Sequence, residues 1–483
     1  MDRMSGPHRR QGGRHPMRDD LLLGVDLGTS TIKANVIDRH GRSLGIGVAP
    51  TPFATHSHGV QMSTQDLFTA VGAAIADLGV LAGRVVGVGV ASMGETGTII
   101  RSDGPSDLPL VAWHDERGTE IVDELIAEFG VEDIRRRTGR QPRSVTSVAK
   151  LGWLLRNGFR TGGTWTGVAG LTVWKLTGAL GQEQSLAATS GAYDPVTGEY
   201  DRQILSFLGL DSLVWAPARV AGTTFGRVSA AGHAWSGIPE GVPVTIAGHD
   251  HAVGVIGAGG DRSEVIDSMG TGEPLVVSFD ASRSDGRHPQ WPDQFGDLTV
   301  TSWPGTAGHM LLWEVLRPGL AMRTLQRALG ISRDDVEFSA IRVDAEPADL
   351  SALLQMQDGI VPAELLARPA DVAWAATLEG FAHATATAEV RLRELCGVTG
   401  STLLIGGGLR SRRWVEAKMR RARHPLVMAS EREAVSRGAG LLAGVAAGWW
   451  SAEQYPPADV VPLSSPTDRP AGAAVVSDAG VLR

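Results

Sequence analysis

The stretch "LLLGVDLGTSTIKANVID", residues 21–38, constrains the fold more than any other part of the chain. An apolar strand breaks at Asp26-Leu27-Gly28-Thr29-Ser30-Thr31 and then resumes. A hairpin needs a turn, but it does not need an acid, a glycine and three consecutive hydroxyls. Residues 264–279, "EVIDSMGTGEPLVVSF", repeat the plan: apolar strand, small Gly-Thr turn, apolar strand. Two copies suggest two related halves, each opening on a strand–turn–strand, with a join near 250. The opening strands are joined by a hairpin rather than by helices, so the expected class is α/β with mixed sheets.

Between the two copies, "VVGVGVASM" (85–93) reads as a buried strand. Residues 64–80, 118–130 and 147–158 read as helices, the first entered through Ser63 or Thr64. The pattern restarts near 243 with "VPVTIAGHDHAVGVIGAGG", a strand, a polar loop and a small-residue helix. A long helix is expected near 371, a glycine-ended strand at "STLLIGGG", and helices at "RRWVEAKMRRA" and "AVSRGAGLLAGVAAG". The expected layout is a disordered tail over 1–20, one domain over 21–250, a second over 251–455, and a loose tail over 456–483. The opening 20 residues are basic and aperiodic, without the apolar core of a secretory signal. They read as that tail, or as lying upstream of a true start at Met17.

With 483 residues the chain exceeds one ordinary core. Net charge of -8 argues against nucleic acid or an anionic membrane as the main partner, while leaving room for a local phosphate pocket. No apolar run reaches the roughly 20 residues of a membrane helix. The one cysteine, Cys396, cannot form an internal disulfide, which suits a reducing cytoplasm.

A tight Gly-Thr turn points successive backbone N–H groups to one side, and such a nest binds anionic oxygens. Thr29 and Ser30 add hydroxyls and Lys33 adds a positive charge. Asp26 has the wrong charge for phosphate but the right one for Mg²⁺ or its waters. Two facing copies could grip a polyphosphate. Each turn alone is also ordinary hairpin chemistry; the duplication favours the phosphate reading. Competing motifs fail. There is no Gly-Lys dipeptide for a P-loop. Arg262 stands where a Rossmann fingerprint needs its third glycine. "GRSLG" (41–45) lies in a hairpin turn, not at a strand-to-helix elbow.

Across residues 21–450 the chain resembles the FGGY carbohydrate kinases, of the sugar kinase/Hsp70/actin superfamily. "DLGTSTIKA" (26–34) and "DSMGTGEP" (267–274) are similar to the family's two phosphate motifs. "LVAWHDERG" (110–118) is similar to its segment near the sugar, and "LTVWKLTG" and "SGAYDPVTGEYD" to further signatures of its first domain. "AGHDHAVGVIGAG" (247–259) resembles the segment with the catalytic aspartate, and "LIGGGLRSRRW" (404–414) the adenosine loop. The resemblance implies two ribonuclease-H-like domains around a cleft, ATP, Mg²⁺, and transfer of the γ-phosphoryl group to a hydroxyl. The acceptor would be a ketose, such as the pentulose xylulose, or a polyol such as glycerol or erythritol.

By the same resemblance Asp250 is the general base and also touches substrate. Asp26 serves the metal. Gly28, Thr29, Ser30, Lys33, Gly270, Thr271 and Gly272 serve the phosphates, and Gly406, Gly407 and Gly408 the adenosine. Glu95, Trp113 and Asp115 face the acceptor. Trp113 could equally be core, Asp115 and Arg117 a surface ion pair, and Asp250 a helix cap. Two departures stand out. The segment around Glu95 lacks the Gln-Met-His stretch common in xylulose kinases and has Gly94 where glycerol kinases carry arginine; Asp250 is flanked by His249 and His251. The rival of another class is a non-catalytic, ATP-dependent sugar sensor or actin-like switch. A homodimer is compatible with the resemblance.

Overall fold

The computed structural model describes residues 20–160, 162–280, 298–306, 308–332, 345–452 and 454–463. The expected tails before 20 and after 463 therefore lie outside the described residues.

Two mixed sheets carry the fold. The first runs Gly226–Arg227, Pro243–His249, Val85–Ser92, Leu21–Leu27, Thr31–Ile37, Ser43–Pro50. The second runs Leu298–Ser302, His309–Leu316, Glu273–Phe279, Val265–Ser268, Thr402–Ile405, Leu426–Ala429, Val460–Leu463. Without their extra edge strands the two are the same design. In the first, Leu21–Leu27 has an antiparallel hairpin on one side and two parallel strands on the other. In the second, Val265–Ser268 holds that central place, with Val265 opposite Val277 and Ser268 beside Ile405. These are the duplicated strand–turn–strand units expected from the sequence, and the architecture is α/β with two actin-like halves.

Both central strands are buried on both faces, which explains why they read as unbroken apolar runs. Helix Thr64–Ala76 covers one face of the first sheet with Leu67, Val71, Ala74 and Ile75; the Ser63 hydroxyl caps it by accepting from the Asp66 N–H at 3.1 Å. The other face meets helices Asp250–Gly257 and Ala434–Ala446. One buried cluster runs from Leu22 and Ile37, through Val255, Ile256 and Leu441, to Ile266, Leu403 and Ile405 of the second sheet. These two helices are therefore a layer shared by the sheets.

That layer ties the two sheets together. Strand Pro243–His249, where the apolar pattern restarts, belongs to the first sheet, and the strand–turn–strand of the second sheet begins at Val265. Helix Ala434–Ala446 lies far along the chain but rests on the first sheet. Residues 456–463, expected to be loose, are docked. The Pro456 and Pro457 carbonyls accept from the Arg437 guanidinium, and Val460–Leu463 pairs with Leu426–Ala429.

The shared helix sits so close that side chains are excluded. A Cβ on Gly24 would stand 1.8 Å from the Ser436 carbonyl oxygen, and one on Gly89 2.0 Å from that of Ala439. Gly24→Ala is expected to destabilise the protein by about 3 kcal/mol, the upper end for an overpacked core; urea unfolding measures it.

Between Ser92 and Pro243 the chain also builds a smaller sheet and helices Thr119–Phe129, Val131–Thr138 and Ser147–Arg156 around Ile121, Ile134 and Leu151. This insert touches the second sheet: the Val300 N–H donates to the Gly139 carbonyl at 2.8 Å. Among the described residues no helix is long and apolar enough to cross a membrane.

Candidate active site

Three parallel strands of the first sheet end side by side. Asp26 lies level with Ala91, and Ala91 with Gly248; Leu27, Ser92 and His249 form the next row. Glu95 follows Ser92 by three residues and Asp250 follows His249 by one. Register alone thus gathers Asp26, Glu95 and Asp250 at the carboxyl ends of neighbouring strands, where open α/β sheets bind ligands. Their charges interact. Burial pushes the Asp26 carboxyl up to about 7, helped by Asp250 and Glu433 and opposed by Lys33. Burial also raises Glu95, with Arg140 opposing and Asp250 adding to the rise.

The second sheet delivers its strand ends to the same place. Glu433 follows strand Leu426–Ala429, precedes the first residue of the shared helix, and binds Lys33 Nζ at 2.5 Å. Lys33 is the register partner of Asp26. Lys33 was expected to serve phosphate; here its charge is engaged by Glu433. Helix Asp250–Gly257 begins at this opening, and Glu433 immediately precedes helix Ala434–Ala446.

Asp250 is about one quarter exposed. Its Oδ1 accepts from the His251 N–H at 2.7 Å and lies 3.3 Å from His249 Nε2. Burial pulls His249 down to about 4, so its ring is neutral at ordinary pH and, in the Nε2–H tautomer, donates to Asp250. Glu95 is the one non-glycine residue with positive φ among the described residues, at 59°. It is pinned there: its N–H donates to Thr189 Oγ1 at 3.0 Å, its carbonyl accepts from Ser147 at 2.9 Å, and its carboxylate meets Arg140 at 3.3 Å. Gly94 is required beside it, because a Cβ would stand 2.7 Å from the Thr189 methyl.

The remaining expected residues divide. Thr29 accepts from Trp113 Nε1 at 2.9 Å, so the tryptophan braces the first tip and is half-buried against the core. Ser30 is exposed at the tip. The amides of Gly28 and Gly270 are spent closing their own turns, on Thr31 and Gly272. The Thr271 carbonyl accepts from the Leu320 N–H at 3.3 Å, anchoring the second tip to helix Pro318–Leu329. Gly406 and Gly408 are glycines for packing, since a Cβ at either would strike Met269; Gly407 faces open space. Asp115 was expected to accept from substrate. Instead it is buried, with one oxygen bonded to the Arg117 N–H and Nε and the other to the Val60 N–H and Arg117 Nη2. All its ready acceptor sites are filled, and the alternative of an ion pair with Arg117 is the one formed, though in the interior rather than at the surface.

Sequence reasoning missed Arg140, Glu183, Ser185 and Glu433. Arg140 lies among several arginines, and the others lie in segments without a motif; only the tertiary fold brings them here. A surface cavity of about 460 Å³, lined by Gln61, Asp66, Ser106 and Asp107 among others, shares no lining residue with this cluster.

Residues 21–257 match the family model described as "FGGY family of carbohydrate kinases, N-terminal domain". The L-fuculokinase of Salmonella typhi aligns over 469 residues at 23% identity, covering 91% of this chain and 94% of that protein. The chain belongs to the FGGY carbohydrate kinase family. Another member, the L-fuculokinase of Escherichia coli K12, is 24% identical over 276 residues; the match covers 54% of this chain and 57% of that protein. The family fold extends over nearly the whole chain. The xylulose kinase of Rhodospirillum rubrum superposes with a TM-score of 0.76 at 20% identity, covering 91% of this chain and 94% of that structure.

Proposed function

We propose that the protein transfers the γ-phosphoryl group of ATP to a hydroxyl of a ketose or polyol, with Asp250 as general base. The observation that carries the reading is the placement of Asp250. It follows strand Pro243–His249, opens a helix, and lies with Asp26 and Glu95 at the carboxyl ends of three neighbouring strands.

In the step proposed, the acceptor O–H gives its proton to Asp250 Oδ2, the oxygen left without a protein hydrogen bond among the described residues. The acceptor oxygen then bonds to the γ-phosphorus, and the bond to the bridging oxygen breaks, leaving ADP. The two Gly-Thr tips would hold the phosphates. Glu95 accepts from acceptor hydroxyls while Arg140 fixes its carboxylate. Gly407 gives the adenosine an unobstructed surface. Among the described residues no group of three or more His, Cys, Asp or Glu is set to hold a metal. A lone carboxylate suits a Mg²⁺ that brings phosphate and water oxygens with it, and Asp26 fits: it is half-buried at the strand end, and its neighbour Lys33 is engaged by Glu433. When bound, that ion would neutralise charge on the phosphates.

A coupled ADP-release assay over a panel of ketoses and polyols, including L-fuculose, xylulose, glycerol and erythritol, tests the reading. One acceptor should raise turnover well above the sugar-free rate. ADP release that ignores every acceptor would instead indicate a switch that only hydrolyses ATP.

A further inference from the structure

Behind Asp250 lies a second, fully buried acid with no part in the chemistry above. Glu183 is 1% exposed. Its Oε2 accepts three hydrogen bonds: from the Ser185 N–H at 2.7 Å, the Ser185 hydroxyl at 2.5 Å and the Leu186 N–H at 3.2 Å. The Ser185 oxygen in turn accepts from the His249 N–H at 2.8 Å. A continuous chain therefore runs from the Glu183 carboxylate, through the Ser185 hydroxyl, to the Gly248–His249 peptide, one residue before Asp250.

The backbone needs such a hold. Strand Pro243–His249 loses register with its neighbour between Ile246 and Gly248, and Gly248 has φ of +125°. A Cβ at Gly248 would stand 2.7 Å from Ser185 Oγ and 3.0 Å from Glu183 Oε2. The irregularity thus brings the backbone against this pair, and the pair fixes where the strand ends. The other Glu183 oxygen, Oε1, has no hydrogen-bond partner among the described residues. Among the described residues no ion pair engages Glu183, and the hold runs through its accepting oxygen Oε2.

We propose that Glu183 and Ser185 are positioning residues for Asp250, holding the Gly248–His249 peptide so that the carboxylate that follows meets the acceptor hydroxyl. This rests on Asp250 being the proton acceptor. It makes an unusual forecast: a glutamine should serve at 183, because its amide oxygen can accept the same three hydrogen bonds. A misplacement of about 1 Å costs on the order of 100-fold in rate.

The test measures kcat, KM for ATP and KM for the acceptor in Ser185→Ala, Glu183→Ala, Glu183→Gln and Gly248→Ala, each singly. Ser185→Ala and Asp250→Asn are also combined. Ser185→Ala, Glu183→Ala and Gly248→Ala should lower kcat about 10- to 100-fold, with KM for ATP unchanged. Glu183→Gln should restore most of the rate. In the Asp250→Asn background, Ser185→Ala should cost nothing further, because there is no base left to position. Nucleotide-induced thermal stabilisation identifies variants that are folded, and Glu183→Gln against Glu183→Ala decides the matter if Ser185→Ala is not. Wild-type kcat in Ser185→Ala, failure of Glu183→Gln to recover, or an equal loss in the Asp250→Asn background would overturn the proposal. If Asp250→Asn itself keeps wild-type turnover, the reading of Asp250 falls and takes this with it. If only Asp250→Asn is impaired, the positioning role alone falls.

Discussion

Replacing Asp250 by asparagine is expected to lower kcat by about 10³-fold or more, in the upper range for a general base, with nucleotide affinity retained. The amide is close in size, and its oxygen can still accept from the His251 N–H where Oδ1 does now. It cannot take a proton. His249 offers no substitute, since burial keeps its affinity for protons low and its near nitrogen faces Oδ1. Nor does Glu95, whose carboxylate is held by Arg140. The triphosphate would be held by backbone at the two tips, which the substitution leaves alone. Calorimetric titration with ATP and Mg²⁺ should therefore give a wild-type dissociation constant beside a collapsed turnover in the ADP-release assay. Turnover near wild type would remove Asp250 from the reaction; lost nucleotide binding would mean that the residue organises the cleft instead.

How much of this was legible in the sequence depends on the range of the interaction. The two hairpins were plain because burial on both faces writes an unbroken apolar run, and the Gly-Thr turn between runs is local. Helix limits followed from caps such as Ser63. The grouping of Asp26, Glu95 and Asp250 was recoverable because each closes a strand and a family pattern stood over each. What stayed hidden depends on tertiary contacts between distant segments. Glu433 meets Lys33 across 400 residues of chain. The helix at 434–446 looked like the end of the second domain, and its glycines gave no sign that it would press on Gly24 and Gly89 of the first. Asp115 was misread for the same reason: a Trp-His-Asp-Glu-Arg run looks like a polar site facing solvent. Only the fold shows Val60 and Arg117 closing over its carboxylate.

The largest stability effect is expected not at the cleft but beneath the second tip. Asp267 precedes the Gly-Thr turn and Glu273 follows it, and both carboxylates are buried. Lys418, from helix Arg412–Arg421, reaches both, at 2.6 Å and 2.5 Å, and the Thr385 hydroxyl donates to Glu273 at 2.8 Å. One ammonium thus pins both ends of the turn. Burial drives both carboxyls above their usual range while Lys418 pulls them back; the two acids hold the Lys418 ammonium above its own. Lys418→Met keeps the length of the side chain and removes the charge, leaving two buried acids uncompensated. Breaking a buried pair in this way costs about 3–5 kcal/mol. The loss should grow with pH. Without the ammonium, the folded state retains protons on these carboxyls to a higher pH than the unfolded chain does. Their stabilising contribution is complete below the unfolded carboxylate values near 4. It then disappears as pH rises through the raised folded values, because the unfolded state binds fewer protons. Urea unfolding at pH 5 and pH 8, followed by fluorescence of Trp414 and its neighbours, should show a deficit that is larger at pH 8. Adding Asp267→Asn and Glu273→Gln to Lys418→Met should remove that pH dependence. A Lys418→Met protein as stable as wild type at pH 8 would mean that water reaches these acids and the ammonium does not hold the tip.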